Sequence, residues 1–220
     1  MATTPNDYAT LAEVKDAFDA GGAEIGLTLD PLLTALITRA SRLLDRLTRR
    51  DPGTFKVTDA EVRYFTGSGK RQLWTGELAG VPSAVAVAES GEVDSAAGTG
   101  GTYTAWSATD YLPWPYNALQ KGEPFLRLDI DVLNGNKAIW YAFPKAVKIT
   151  ALWGYSANPP DVVTQAVITQ TVRWLKRAQQ GMADVGAVVD LSQLRYVQKL
   201  DPDVAMTVEM YTALSYALPT

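Results

Sequence analysis

The chemistry open to this chain is limited by two residue types that it lacks. Among its 220 residues there is no histidine and no cysteine. Imidazole and thiolate are the usual ligands of zinc, haem iron and iron–sulfur clusters, and they act as base or nucleophile in most hydrolytic triads. Sites of those kinds and disulfides are therefore excluded, and only carboxylates, Lys, Tyr, Ser and Thr remain for catalysis.

Two carboxylates, Asp129 and Asp131, lie two residues apart in a segment that alternates between apolar and polar residues. On a strand they would project from one face and could serve as a paired acid and base. Arg127 belongs to the same face, which favours a solvated polar face instead. Because no other residues form a constellation with them, we expect no catalytic site, no bound metal and no cofactor.

A glycine-rich segment, Gly67-Ser68-Gly69-Lys70, has the appearance of a phosphate-binding loop. That motif needs glycine where Tyr64 stands and serine or threonine where Arg71 stands. The phosphate loop is therefore rejected. We interpret the segment as a hairpin turn whose glycines allow positive φ.

Five arginines lie opposite the leucines of the clearest helical segment, with Asp45 as the single acid among them. They are Arg39, Arg42, Arg46, Arg49 and Arg50. Such a basic stripe could face DNA phosphates or an acidic partner. The simpler interpretation, which we favour, is a solvated helix face whose arginines lie near the C-terminal end, where the helix dipole attracts cations.

Aromatic residues crowd a short segment that contains two prolines. They are Trp106, Tyr111, Trp114 and Tyr116. Exposed rings at these positions could stack on sugars, bases or a protein partner. The same rings could equally close the end of a small sheet. The cluster supports an alternative function, a β-domain binding module that recognises carbohydrate or peptide.

Helical periodicity marks the first fifty residues. Thr10 and Glu13 have the spacing of a capping box, so a short helix should follow and end by Gly21. Asp30-Pro31 combines a favoured N-cap with a favoured first-turn residue. The leucines that follow repeat at helical spacing as far as Leu47, which predicts the most secure helix of the chain.

Two more helices are predicted towards the C-terminus. One opens at Pro160-Asp161, carries a buried stripe that includes Trp174, and ends at Gly181. The last begins at Asp201-Pro202. It carries apolar residues at helical spacing: Val204, Val208, Tyr211 and Leu214.

Between about residues 58 and 155 the apolar period falls to two, as in antiparallel strands. The predicted strands are a hairpin of 61–65 with 71–74, a run over 83–89, a second hairpin of 126–132 with 139–141, and a strand over 147–153. Residues 90–102, rich in Gly, Ala and Ser, are predicted to form a long flexible loop at the sheet edge.

These patterns predict an α+β fold. N- and C-terminal helices form a helical core, and an antiparallel β domain, a small sandwich or barrel, is inserted in it. The predicted parts are 1–57, the β domain 58–155, and 156–220, with a docking tail after about residue 181. The alternative is a set of helices that merely cover one sheet.

Charge and hydropathy limit the partners. Lys and Arg number 20 against 24 Asp and Glu, for a net charge of −4. This balance argues against a protein whose main task is to hold nucleic acid through its phosphates. No apolar run approaches the roughly 18 residues of a membrane span, and residues 1–7 lack the features of a signal peptide. We expect no membrane partner and no secretion.

Three segments carry a family resemblance. They are YATLAEVK at 8–15 followed by the helix at 35–48, DYLPWPYN at 110–117, and VKITALWGY at 147–155 followed by prolines and a helix. In this order they resemble the head-tail connector (adaptor) proteins of tailed bacteriophages. The strand that ends in Trp-Gly-Tyr is the most specific element, and the resemblance covers roughly residues 8–50 and 60–180.

The resemblance implies a structural, non-enzymatic role. Copies of the chain would form a ring, typically twelvefold, beneath the portal of the DNA-filled head. The ring would extend the channel through which genomic DNA passes without sequence-specific binding, and would dock the tail or stopper protein. The implied location is the virion neck, reached from the host cytoplasm during assembly.

The same resemblance assigns a docking role to the C-terminal segment, towards the portal protein or an adjacent subunit. The candidate docking residues are Leu200, Asp201, Pro202, Val204, Val208 and Tyr211. Truncation at Gly181 is then expected to leave a folded protein that cannot join heads. Many members of the family are smaller and mostly helical, so the roles of the β region and the tail remain open.

Overall fold

The computed structural model describes residues 6–19, 26–96, 98–179 and 200–212. Contacts divide these residues into two compact units. A helical unit contains 6–53 and 159–212, and a β unit contains 54–158. The predicted α+β class is confirmed.

Four α-helices build the described part of the helical unit. They are α1 (Leu11–Asp19), α2 (Asp30–Leu47), α4 (Asp161–Gln179) and α5 (Pro202–Tyr211), and a 3-10 turn (Leu27–Leu29) precedes α2. α2 packs against α4, while α1 contacts both and α5 lies on α4. The short helix α3 (Ala118–Lys121) belongs to the β unit.

The predicted capping box begins α1. The Glu13 backbone N–H donates to Thr10 Oγ1 over 3.2 Å, and the Thr10 N–H donates to Glu13 Oε2 over 2.7 Å. Two backbone donors that a helix start leaves without partners are thereby satisfied. The apolar side of α1 buries Val14 and Phe18.

α1 and α2 run in opposite directions. The Lys15 ammonium pairs with Asp30 Oδ1 at 2.5 Å, which joins the middle of α1 to the start of α2. At the other end, the Tyr8 N–H donates to Ser41 Oγ over 3.1 Å. The segment before α1 is therefore fixed to the C-terminal half of α2.

Seven strands form the β unit. They are β1 (Glu61–Phe65), β2 (Gln72–Leu78), β3 (Ala84–Val87), β4 (Thr104–Trp106), β5 (Tyr111–Trp114), β6 (Phe125–Ile130) and β7 (Val147–Ala151). One antiparallel sheet has the order β1-β7-β3-β4 and the other has the order β2-β6-β5. Both contribute to one hydrophobic core, so the described strands form a sandwich and close no barrel.

The predicted hairpin of 61–65 with 71–74 is wrong. β1 pairs with β7, and β2 pairs with β6 in the other sheet. The intervening glycines lie where the chain passes from one sheet to the other. A Cβ at Gly67 would lie 2.2 Å from the Tyr141 carbonyl oxygen, so the backbone approaches too closely there for a side chain. The Gly69 N–H donates to the Trp140 oxygen over 2.8 Å. This segment therefore pairs with distant backbone rather than with its own neighbour.

The predicted partner of β6 is also wrong. Residues 139–141 form no strand, and β6 pairs instead with β2 and β5. Trp140 is fully buried, and its backbone N–H donates to the Lys70 oxygen over 2.9 Å. The apolar character of residues 139–141 thus reflects packing in the core, not strand pairing. Val132, predicted on β6, lies beyond the strand and is exposed.

The Trp-Gly-Tyr segment after β7 has a specific packing role within the β unit. Trp153 Nε1–H donates to the Glu61 oxygen over 2.7 Å, and its ring lies 5.4 Å from that of Phe65. A Cβ at Gly154 would lie 2.7 Å from the Thr54 carbonyl oxygen, so only glycine fits there. The segment joins the start of the unit to its end.

Candidate functional site

α2 places its arginines by simple amphipathic periodicity. Its apolar residues are buried: Leu33, Leu36, Ile37, Ala40 and Leu44. On the other side Arg39 and Arg46 are exposed, two helical turns apart. Arg46 forms no side-chain hydrogen bond or ion pair with any residue that the structure describes.

A groove within the helical unit runs between α2 and α4 beside these arginines. It has a volume of about 470 Å³ and is lined by Arg39, Arg42, Leu43, Arg46 and Trp174. The Arg39 guanidinium lies 4.7 Å from the centre of the Trp174 ring, a cation–π contact that holds it in place. We call this feature the arginine groove. Its cations and aromatic wall suit an anionic or carboxylate-bearing ligand.

The predicted stripe of five arginines is divided. Arg42 Nη2–H donates to the Asn6 oxygen over 2.8 Å, and its Nη1 lies 3.3 Å from Asp45 Oδ2. Arg50, half-buried, donates its backbone N–H to the Asp45 oxygen over 2.9 Å. Arg49 follows the helix end in the left-handed region, with φ of 58°. Arg49 is exposed but does not line the groove, so Arg39 and Arg46 are the exposed arginines among its lining residues.

Asp45, the single acid among the five arginines, holds neighbouring segments of the chain together. Its side chain is buried, with 1% of the residue exposed, and it accepts hydrogen bonds from the Tyr8 hydroxyl and from the Gly53 N–H at 3.2 Å. Burial raises the pKa of Asp45 above its usual range, against the lowering effect of Tyr8, Arg42 and Gly53. This carboxylate serves to join the chain before α1 to the end of α2.

Two of the four predicted interaction aromatics are core residues. Trp106 stacks on Trp140 at 4.6 Å between ring centres, and Tyr111 lies in the same buried cluster. Tyr116 is 62% exposed. The expectation of a group of exposed rings is therefore wrong for Trp106 and Tyr111, because both point into the core between the sheets.

Trp114 has a different partner. The Arg127 guanidinium lies 4.2 Å from the Trp114 ring and 5.3 Å from the Trp74 ring, on three neighbouring strands. Arg127 also pairs with Asp129, with 2.9 Å between Nε and Oδ1. The space between the two indoles is thus filled by a side chain of the protein itself.

The two predicted strand carboxylates are separated. Asp129 is on β6, whereas Asp131 lies after the strand and is buried. Asp131 Oδ1 accepts from the Leu133 N–H at 2.9 Å, and Oδ2 accepts from Asn134 Nδ2 at 2.8 Å. These bonds, led by that of the Asn134 side chain, hold the pKa of Asp131 below its usual range. Asp131 stabilises a turn. The prediction that Asp129 and Asp131 share one solvated strand face is therefore wrong.

The C-terminal docking residues have mixed positions. Asp201 caps α5, since its Oδ1 accepts from the Asp203 N–H at 3.1 Å, and Pro202 is exposed in the first turn. Val204 is buried inside the helical unit, so it cannot face a partner while α5 is packed. The other three, Leu200, Val208 and Tyr211, are half-buried. The exposed apolar residues of α5 are instead Met206 and Met210, at 59% and 64% exposure.

One polar network was missed by the sequence analysis. Asp94, in the predicted flexible loop, accepts from the Gly101 N–H at 2.9 Å, the Tyr64 hydroxyl at 2.9 Å and Lys148 Nζ at 3.1 Å. The Gly101 bond, followed by those from Lys148 and Tyr64, lowers the pKa of Asp94. The loop is therefore tied to β1 and β7, and no local pattern reveals it because the partners lie 30 and 54 residues away.

The residues that the structure describes contain no cluster of three or more carboxylates suited to holding a metal ion. None of their helices is both long enough and apolar enough to cross a membrane. The predicted tail begins in residues 180–199, which lie outside the described part.

No protein-family model matches the sequence, and no curated protein matches it. Solved structures show a likeness of fold. A chain in the neck of an empty gene transfer agent particle, computed with C6 symmetry, matches with a TM-score of 0.55 and 15% identity. The match covers 97% of this chain and 94% of that one. This match therefore shows a shared fold.

Two further matches have lower TM-scores. A chain in the virion of a native gene transfer agent particle is 17% identical, with a TM-score of 0.47 and 95% of each chain covered. A chain in the neck of a native particle, computed with C12 symmetry, is 15% identical, with a TM-score of 0.39 and coverage of 95% and 94%. Both scores are below 0.5, so neither of these two matches is used as support for the shared fold.

Proposed function

We propose that this protein is a structural component of the neck of a phage-like particle. One observation carries the proposal: the fold matches, over nearly the whole of both chains, a chain in the neck of an empty gene transfer agent particle. The resemblance of three sequence segments to head-tail connectors points the same way, although no family model matches the chain.

In this role, copies of the chain form a ring beneath the portal. The connector resemblance implies about a dozen copies, a number that is compatible with a neck computed with C6 symmetry, as in the matching structure. The ring extends the DNA channel, contacts the portal protein on one side and docks the tail or stopper protein on the other. The protein acts in the virion neck after assembly in the host cytoplasm.

Charge and chemistry support a passive conduit rather than an enzyme. The net charge of −4 disfavours tight phosphate binding, which suits a channel through which DNA must slide. The two strand carboxylates that could have formed an acid–base pair are engaged separately, with Arg127 and with a turn. The binding-module alternative is weakened, because Trp106 and Tyr111 are buried and Arg127 fills the space beside Trp114.

The experiment is cryo-electron microscopy of the neck in particles from the source of this sequence. Density for about a dozen copies at the portal–tail junction is expected. Particles made without the gene serve as the control, and we expect DNA-filled heads without tails. Complete, infectious particles that lack this chain would overturn the proposal.

A further inference from the structure

We propose that the arginine groove of one copy receives the exposed acidic face of α1 from a neighbouring copy, in a head-to-tail contact. This inference deepens the proposed function and rests on it, because it names the two surfaces that meet between adjacent subunits of the ring. The partner is a second copy of this chain.

The groove presents two cations to an incoming surface. Arg39 and Arg46 are exposed, while Arg42 at the edge is directed towards Asp45 and Asn6. Two helical turns separate Arg39 from Arg46, about 10.5 Å along the axis at 1.5 Å per residue. Trp174 and Leu43 supply an apolar wall between them. A partner should therefore carry carboxylates spread over a similar length.

α1 carries such a set. Glu13, Asp16 and Asp19 are exposed on this nine-residue helix and span about 9 Å along it. Glu13 is partly engaged in the capping box. Asp16 and Asp19 form no ion pair with any residue in the described part of the chain. Lys15, the one cation of α1, is directed instead towards Asp30.

Within one copy the acidic face of α1 does not engage the outward arginines, since Asp16 and Asp19 form no ion pair with Arg39 or Arg46 among the described residues. The chain before α1 contacts the side of α2 that carries Ser41 and Asp45, and its Asn6 oxygen accepts from Arg42 at the edge of the groove. At about 100° per residue, Arg39 projects some 160° away from Ser41 around α2. The exposed carboxylates of α1 and the outward arginines of one copy are thus both available to a neighbouring copy. A contact between unlike surfaces is heterologous, and it closes a ring when the rotation between neighbouring copies divides a full turn.

A copy of this chain suits the groove better than DNA does. The whole chain carries a net charge of −4, which repels a polyanion at long range. Two outward arginines beside an apolar wall match a short acidic helix, whereas DNA binding through phosphates usually uses a wider basic surface.

Thiol trapping tests the contact directly, because the natural chain has no cysteine. The doubly substituted chain, Asp16→Cys with Arg46→Cys, should form disulfide-linked ladders in assembled particles and in concentrated free protein. Asp59→Cys with Arg46→Cys is the matched control, since Asp59 is also exposed but belongs to the β unit. No ladder in either sample, or equal ladders from the control, would overturn the contact.

Charge reversal gives an independent measurement in solution. Arg39→Glu with Arg46→Glu, and separately Asp16→Lys with Asp19→Lys, should each weaken self-association about tenfold or more. Mixing the two variants should restore it, because each then offers the surface that the other needs. Lys70→Glu with Lys121→Glu is the control for the first variant, and Asp59→Lys with Glu123→Lys for the second, since all four residues are exposed in the β unit.

The outcomes separate this inference from the proposed function. If the chain is present in the neck but neither ladders nor rescue on mixing are seen, the ring stands and this contact is wrong. If the chain is absent from particles yet ladders form in solution, the contact stands and the neck function is wrong. If Arg39→Glu with Arg46→Glu lowers DNA retention in an electrophoretic shift but leaves self-association unchanged, the groove faces DNA and the inference is overturned.

Discussion

The hydroxyl of Tyr8 donates a hydrogen bond to the buried carboxylate of Asp45, and this contact fixes the segment before α1 against the last turn of α2. The Arg42 guanidinium lies 5.3 Å from the centre of the Tyr8 ring. Tyr8 and Asp45 thus hold Arg42, which lines the edge of the arginine groove. Stability of the helical unit and orientation of the groove are therefore linked.

Tyr8→Phe should destabilise the protein. The ring still packs, but a buried carboxylate loses a donor, which costs about 1–3 kcal/mol of unfolding free energy. Urea unfolding followed by circular dichroism measures the loss. Tyr116→Phe is the matched control, because Tyr116 is largely exposed and its replacement should change stability by less than about 0.5 kcal/mol. Equal effects of the two substitutions would contradict the role of the Tyr8 hydroxyl.

The pH dependence of stability should reveal Asp45. Because burial raises its pKa, the folded protein retains a proton on Asp45 at pH values where the unfolded chain has lost it. The contribution of Asp45 to stability therefore grows as the pH falls through the folded-state pKa, and diminishes as the pH rises from the unfolded value towards it. Unfolding of wild type and Asp45→Asn, compared from about pH 3 to 7, should diverge with that sign. Parallel curves would show that the pKa of Asp45 is not raised.

Asp94 should behave in the opposite way. Its pKa is lowered, first by the Gly101 N–H and then by Lys148 and Tyr64, so its contribution is present above the unfolded pKa of about 3.9. That contribution is lost as the pH falls through the folded-state pKa. Asp94→Asn should lower the unfolding free energy at neutral pH, and the unfolding free energy of this variant should fall less steeply at acid pH than that of the wild type.

Hydrogen exchange adds a local measurement of the same anchor. In Asp94→Asn, exchange of the backbone amides at 92–102 should accelerate, because the loop loses its ties to β1 and β7. Glu123→Gln, at an exposed site, is the control. Unchanged exchange at 92–102 would mean that the loop is held by other contacts.

Trp106 and Tyr116 separate a core role from a binding role. Trp106→Ala should cost about 3–5 kcal/mol of unfolding free energy, since it removes a buried ring stacked on Trp140. Tyr116→Ala should stay within about 0.5 kcal/mol of wild type. Thermal unfolding measures both. A stable Trp106→Ala variant that loses binding to a sugar or peptide would revive the binding-module function.

Local patterns predicted the elements better than their pairing. The Thr10–Glu13 capping box and the β7 alternation are confirmed, because each depends on residues close in sequence. The hairpin at Gly67 failed, since β1 pairs with β7 and β2 pairs with β6, strands that are distant in the sequence. Register and sheet order are long-range properties that periodicity alone does not encode.

The candidate site was predicted only in part, because it too depends on contacts between residues that are distant in the sequence. The arginines of α2 follow from helical spacing, but the direction of Arg42 depends on Asp45 being buried by Tyr8. Trp174 was expected in a buried stripe of its helix, whereas it is half-buried and forms one wall of the groove. The contribution of α4 to the site depends on how α2 packs against it.

α5 combines a folding role with an exposed apolar surface, and two sets of substitutions should separate them. Val204 and Thr207 are buried in the helical unit, so truncation at Gly181 should destabilise that unit rather than leave it intact. Val204→Ala alone should cost about 2 kcal/mol of unfolding free energy, from two buried methyl groups.

Met206→Ser with Met210→Ser should leave the unfolding free energy nearly unchanged, because both side chains are exposed. If this surface docks to the portal or to a neighbour, the methionine variant should fold normally and yet enter particles poorly, as measured by its copy number in purified necks. Normal incorporation of that variant would remove α5 from the docking surface and leave it as a packing element of the helical unit.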